Sequence, residues 1–237
     1  MVGKRLASIN VLSGRYIKKI IENLSKPINE DVLEINVKGK LIVIYFRNSA
    51  ILATAGMAGL WTTGETEHRF KRIELQVIGK DNTIEKYTFC DQRNFGTFRV
   101  VAPSDANAKL MALGPDIFDG PLVPHILFDR LSRYGKKQLL CEALMDQRIF
   151  CGVGNYIRAE ALFIAKLDPQ MPAMELTAPQ AALLWQSIHQ VAVSAFKLKH
   201  KYVDLCYRRQ MTDDQRKVTK FIDSNGRTMW YVPLNHL

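Results

Sequence analysis

Residues Gly152-Val153-Gly154-Asn155 form a glycine-x-glycine turn running straight into a helical segment. Such a turn exposes backbone N–H groups, and the helix start adds partial positive charge, so phosphate can bind there without a clash. Standing alone, the pattern reads more simply as a tight turn. Two large apolar side chains also fall at glycine turns, Met57 within Gly56-Met57-Ala58-Gly59 and Phe95 ahead of Gly96. They would be ordinary core residues elsewhere, but exposed bulk at a turn needs a reason. The four cysteines, Cys90, Cys141, Cys151 and Cys206, lie far apart with no C-x-x-C pair and no histidine at zinc-finger spacing. They read as buried free thiols, and no metal or cofactor is expected.

The elements that position these residues change character along the chain. Up to about Val101 the apolar residues come in short β-branched runs: 6–12, 32–37, 41–46, 50–54, 73–78, 84–89 and 97–101. Asn and Gly breaks separate them, which predicts a mostly antiparallel β domain over residues 1–101. Prolines 103, 115, 121 and 124 then mark a loop-rich linker over 102–123. Helical spacing predicts helices over 124–134, 137–146, from Asn155 to Asp168-Pro169, and from Thr177 to about Lys197. The helical domain is placed at 124–200 and a C-terminal β-hairpin at 201–237, with Asp223-Ser224-Asn225-Gly226 as its turn.

Of 237 residues, 47% are hydrophobic, enough for a sizeable core, and 33 Lys+Arg against 23 Asp+Glu give a formal net charge of +10. That balance favours a polyanionic partner, nucleic acid or an acidic surface. No apolar run approaches the roughly 18 residues of a membrane span, and the opening residues have no signal-peptide pattern. A cytoplasmic or nuclear monomer with no membrane role is expected.

The segment from Leu144 to Asp168-Pro169, with Asp146-Gln147-Arg148, Gly152-x-Gly154-Asn155 and Glu160-Ala161-Leu162-Phe163, resembles the helix-two-turn-helix signature of the Fpg/Nei DNA glycosylase family. Leu113-Gly114-Pro115-Asp116 resembles that family's L-G-P-[DE] linker. Lys38-Gly39-Lys40, Gly56-Met57-Ala58-Gly59 and Asp91-Gln92-Arg93-Asn94-Phe95-Gly96 are similar to its [RK]-G-K, L-G-M-x-G and D-x-R-x-F-G loops, with Ala55 where the leucine would be. The resemblance implies an α+β fold: an N-terminal antiparallel β-sandwich domain, a helical domain carrying the helix-two-turn-helix, and a C-terminal hairpin. That hairpin, Asp223 to Tyr231, looks like a zincless finger, needing no metal.

By resemblance, the partner is duplex DNA containing damaged bases or abasic sites, and the function is base-excision repair: a glycosylase with abasic-site lyase activity on oxidised bases. Arg148, Asn155 and Arg227 fall on its DNA-backbone contacts, Lys40 and Glu160 on its catalytic positions. Met57, Arg93 and Phe95 fall on the residues that fill the void left by a flipped base, which suits apolar wedges and an arginine facing the orphaned partner. Read without the family, Lys40 serves equally as a solvated strand lysine, while the alternatives are a solvated or helix-capping residue for Glu160 and a surface arginine for Arg227.

The chain departs from the family at its start. Active members share a Pro-Glu N-terminus whose amine attacks the sugar. Here Val2 to Ile9 looks instead like the strand that follows the first helix, so the first strand and helix are expected to be missing. The alternatives are a Val2 amine exposed by loss of Met1, an amine from Lys40, a start lying upstream, and a catalytically impaired binder of abasic or damaged DNA. A ribosomal-type RNA-binding module is a further alternative, which the hairpin and the Met57, Arg93 and Phe95 set argue against.

Overall fold

A computed structural model describes residues 1–18, 21–56, 59–118, 124–198 and 204–233. The chain divides into two compact units, Met1–Met111 and Ala112–Leu237.

The first unit is built of eight strands: β1 (Arg5–Val11), β2 (Glu34–Lys38), β3 (Leu41–Tyr45), β4 (Ala50–Thr54), β5 (Gly59–Thr63), β6 (Lys71–Ile78), β7 (Ile84–Asp91) and β8 (Thr97–Val101). They pair antiparallel in two four-stranded sheets, ordered β1-β6-β7-β5 and β2-β3-β4-β8. The two-residue side-chain period of a strand sends Ile73, Leu75 and Val77 of β6 and Phe98 and Val100 of β8 inward. They join Leu6, Ile51 and Phe89 in one core. A single turn of helix, α1 (Arg15–Lys18), follows β1.

Up to residue 112, two features differ from expectation. The linker over 102–123 holds a ten-residue helix, α2 (Pro103–Ala112). Proline suits a first helical position because its missing N–H has no intrahelical partner there anyway. Strand β5 was also not anticipated; it pairs with β7 in register from Gly59↔Asp91 to Thr63↔Tyr87.

The second unit contains α3 (Pro124–Tyr134), α4 (Leu140–Ala143), α5 (Asn155–Ile164) and α6 (Ala178–Lys197), then the hairpin β9 (Thr219–Ile222) and β10 (Thr228–Tyr231). The helix expected over 137–146 shrinks to α4. Glu142 accepts the Leu139 N–H at 3.2 Å and so fixes a late start, while Asp146 already accepts turn bonds from Arg148 at the other end. Helix α5 stops at Ile164, short of Asp168. Helix α6 begins as the sequence suggests, with the Thr177 N–H donating to Gln180 at 2.9 Å. Leu127, Leu131, Leu144, Ile149, Ile157, Leu162, Leu184 and Ile188 belong to one core, in which Phe150 stacks on Trp185 at 5.7 Å.

Helix α5 is the centre of this unit, with every residue from Ile157 to Leu162 buried. A helix wrapped on all sides must supply partners for any polar group it carries, because a buried unpaired charge is costly. Arg158 and Glu160, both at 0% exposure, therefore need partners from outside the helix. Among the described residues no helix is long and apolar enough to cross a membrane.

Candidate nucleic-acid interface

In the second unit, the turn between α4 and α5 is held from inside by Gln147. Its side-chain amide donates to the carbonyls of Met145 (3.2 Å) and Val153 (3.1 Å) and accepts the Gly152 N–H at 3.0 Å. Gly152 has φ +94°, a backbone that side chains resist. The Gly114 segment is laid against this turn: Gly114 N–H donates to Gln147 O at 2.8 Å, Cys151 N–H to Pro115 O at 2.8 Å, and Ile117 N–H to Cys151 O at 3.1 Å. A Cβ on Gly114 would meet Ile149 O at 2.5 Å, which accounts for the glycine. Helix α5 then starts at Asn155, and at its N-cap residue Gly154 no side chain among the described residues caps it, leaving a helix end suited to an anion.

The expected backbone contacts flank this turn. Arg148 is about half exposed and donates from Nε and Nη2 to Asp146, at 3.0 Å and 2.6 Å. Its guanidinium also lies over the Tyr134 ring at 4.8 Å. Burial raises the Asp146 carboxyl, but hydrogen bonds from Arg148 outweigh it and hold the group below the usual carboxylate range. Asn155 opens α5 and donates from Nδ2 to Thr228 O of β10 at 3.0 Å, while its Oδ1 is buried and has no partner among the described residues. Arg227 is exposed just beyond the hairpin turn, where Gly226 takes φ +73°.

Glu160 is placed differently from a proton-transfer group open to substrate. Wholly buried, its carboxylate accepts the N–H groups of Leu205 (2.7 Å), Cys206 (2.9 Å) and Tyr207 (2.7 Å). It ties the segment ahead of the hairpin to α5. Arg158, which carried no weight in the sequence reading, pairs with Asp223 at 2.6 Å with both side chains at 0% exposure. Glu142 accepts the Ser224 N–H at 2.9 Å.

In the first unit, Lys40 lies exposed at the tip of the two-residue β2–β3 loop. Lys38 pairs with Leu41 across that loop and Gly39 takes φ +57°, the glycine-first hairpin turn. Arg93 and Phe95 are both exposed, Phe95 at 57%. Their loop is clamped by buried Asp91, whose carboxylate accepts the Arg93 N–H at 3.1 Å and the Gly96 N–H at 2.8 Å. Arg15 and Tyr16 both donate to Gly96 O, the latter at 2.7 Å. A Cβ on Gly56 would fall 2.7 Å from Gly96 N, so the Gly56 loop and the Phe95 loop pack backbone on backbone. Met57 lies outside the described residues. The Asp91 clamp was missed as a role, although the residue opens a motif noted in the sequence.

Residues 113–205 match the formamidopyrimidine-DNA glycosylase H2TH domain. The formamidopyrimidine-DNA glycosylase of Photorhabdus laumondii is 31% identical over 192 residues, 81% of this chain and 70% of that protein. That of Bdellovibrio bacteriovorus is 29% identical over 178 residues, 74% of this chain and 64% of its own length. Endonuclease 8 of Pectobacterium carotovorum is 26% identical over 207 residues, 76% of each. The fold is shared with Lactococcus lactis Fpg in a complex with abasic-site DNA (TM-score 0.77, 17% identity, 99% of this chain and 93% of that one). It is shared too with Thermus thermophilus MutM (Fpg), at TM-score 0.76, 23% identity, and 98% and 91% coverage. The matched region makes this chain a helix-two-turn-helix protein. The chain belongs to the formamidopyrimidine-DNA glycosylase and endonuclease VIII family.

Proposed function

We propose that this protein is a base-excision repair glycosylase that acts on oxidised bases in duplex DNA and cleaves the abasic site it leaves. The observation that carries the reading is the helix-two-turn-helix turn: fixed by Gln147, it delivers an uncapped helix start beside Arg148 and Asn155. Those residues and Arg227 take backbone phosphates, and Arg93 and Phe95, together with Met57 of the Gly56–Gly59 segment, fill the space of a flipped base. The protein acts as a monomer inside the cell; the relatives named above are all bacterial, which removes support for a nuclear location.

Lyase chemistry needs an amine that condenses with the C1′ aldehyde of the open sugar, expelling water to give an imine from which the 3′ phosphate is eliminated. Two amines compete within these residues, Lys40 Nζ and the α-amine of Val2 once Met1 is removed. Val2 sits in the turn ahead of β1 and is 57% exposed.

A second reading, a binder of abasic or damaged DNA with impaired chemistry, is favoured by the burial of Glu160. With three N–H groups on its carboxylate, it is better suited to holding the 204–207 segment than to moving protons.

Titrating the chain with fluorescent duplex carrying one abasic site, across a salt series, tests the shared core of both readings. Affinity should exceed that for intact duplex and fall with salt at a slope of about −0.9 per phosphate neutralised, roughly −2 if only the two cations Arg148 and Arg227 contribute and Asn155 adds an uncharged hydrogen bond. A flat salt response, or equal affinity for structured RNA, removes the proposal.

A further inference from the structure

We infer that Asp223, clamped by Arg158, is a positioning residue that aims Arg227 at a DNA phosphate; this rests on the reading of Arg227 as a backbone contact. Asp223 is buried at the start of the hairpin turn, and its two carboxylate oxygens do different work. Oδ2 takes the Arg158 Nη1 at 2.6 Å, the same nitrogen that donates to Cys141 O at 3.0 Å. Oδ1 accepts the N–H groups of Asn225 (3.0 Å) and of Arg227 itself (2.8 Å). The Asp223 N–H donates to Arg227 O at 2.9 Å and the Gly226 N–H to Asp223 O at 2.9 Å. Both backbone polar groups of Arg227 are thus bonded to one buried residue.

The neighbours of Arg227 are held from the same two helices. Ser224 N–H goes to Glu142 of α4, and Thr228 O receives Asn155 Nδ2 of α5. The hairpin tip is therefore an extension of the helix-two-turn-helix frame rather than an independently mobile turn. The Arg227 side chain, exposed beyond it, has its root fixed by hydrogen bonds, and a fixed root reduces the ordering cost of a phosphate contact. Burial raises the Asp223 carboxyl, but the bonds from Arg227 N–H and from Arg158 outweigh it, so the group stays charged and the clamp intact at neutral pH.

A purely structural role for the pair makes a different prediction. Buried ion pairs are often replaceable by apolar residues of similar volume without loss of stability. The Arg158→Met/Asp223→Leu double variant keeps the packing but removes the acceptor for the Arg227 N–H. Each protein, with and without Arg227→Ala, is titrated with the abasic-site duplex over the salt series. Arg227→Ala alone should reduce the salt slope by about 0.9. The double variant should lose the same increment, and adding Arg227→Ala to it should change nothing further.

If the double variant does not fold, Asp223→Asn takes its place, with part of the slope loss and the same non-additivity expected. Unchanged slope in the folded variant, or full additivity with Arg227→Ala, overturns the inference while leaving the DNA-binding reading intact. If Arg227→Ala itself leaves affinity and slope unchanged, the premise that Arg227 contacts DNA falls, and the inference with it.

Discussion

Glu160→Ala is expected to lower the unfolding free energy by about 3 kcal/mol, because it strands backbone donors at 1–3 kcal/mol apiece where water cannot replace the acceptor. Three N–H groups, those of Leu205, Cys206 and Tyr207, end on this carboxylate. Cys206 is fully buried, so its donor has the least access to water. Urea unfolding measures the total, and hydrogen exchange should show protection lost at the amides of 205–207 first. Glu160→Gln, which keeps acceptor oxygen but offers one site in place of two, should fall between alanine and the native residue. A catalytic Glu160 makes the opposite pattern: alanine abolishes turnover on damaged duplex with stability and amide protection unchanged.

Gly56→Ala should have an effect of similar size in the other unit. Gly56 takes φ +61°, and the added Cβ would sit 2.7 Å from Gly96 N and 2.8 Å from the Phe95 carbonyl carbon. The left-handed backbone alone costs about 1–2 kcal/mol for a residue with a Cβ. Overlap with backbone atoms cannot be relieved by a side-chain rotation, so the Phe95 loop must shift, and a total near 3 kcal/mol is expected. Gly64 provides the comparison: at φ +74° with no atom of the described residues within 4 Å of the added Cβ, Gly64→Ala should cost only about the backbone part. The Gly56 variant should also lose discrimination between abasic and intact duplex, since Phe95 moves with its loop. Retained discrimination together with lost stability would remove the void-filling role from this loop.

Much of the fold could be read from residue order alone. Ile73, Leu75 and Val77 alternate with Glu74 and Gln76, and that period specifies a strand with one face buried. The Asn225-Gly226 step marked the hairpin turn because few other residues tolerate φ +73° there. Helix α2 escaped notice because it buries only Ala106 and so carries almost no amphipathic pattern. The α4 segment looked longer than it is because Leu140, Ala143 and Leu144 share helical spacing, whereas Asp146 turns the chain with its own side chain.

The candidate site was legible in its turns and opaque in its partners. Gly152 and Gly56 mark turns whose left-handed backbone, at φ +94° and +61°, favours glycine. The role of Glu160 depended on a segment 45 residues away, and that of Arg158 on a residue 65 positions distant. Nothing local tells a solvated glutamate from a buried one on a helix, particularly where small residues such as Ala159 and Ala161 flank it. Only the wider pattern gave a clue: Ile157, Ala159, Ala161 and Leu162 surround Arg158 and Glu160 so that the two charges share no polar face, as in a central helix.

Borohydride trapping on a duplex with a single abasic site tests the enzymatic claim most directly, using the 237-residue chain, its Lys40→Ala variant and a form with the N-terminal amine blocked. A covalent protein–DNA band, lost in one of the two altered forms, is the result expected of an abasic-site lyase and identifies the amine. No band under conditions where the abasic duplex is fully bound contradicts lyase chemistry by these residues and leaves the protein as a binder of damaged DNA.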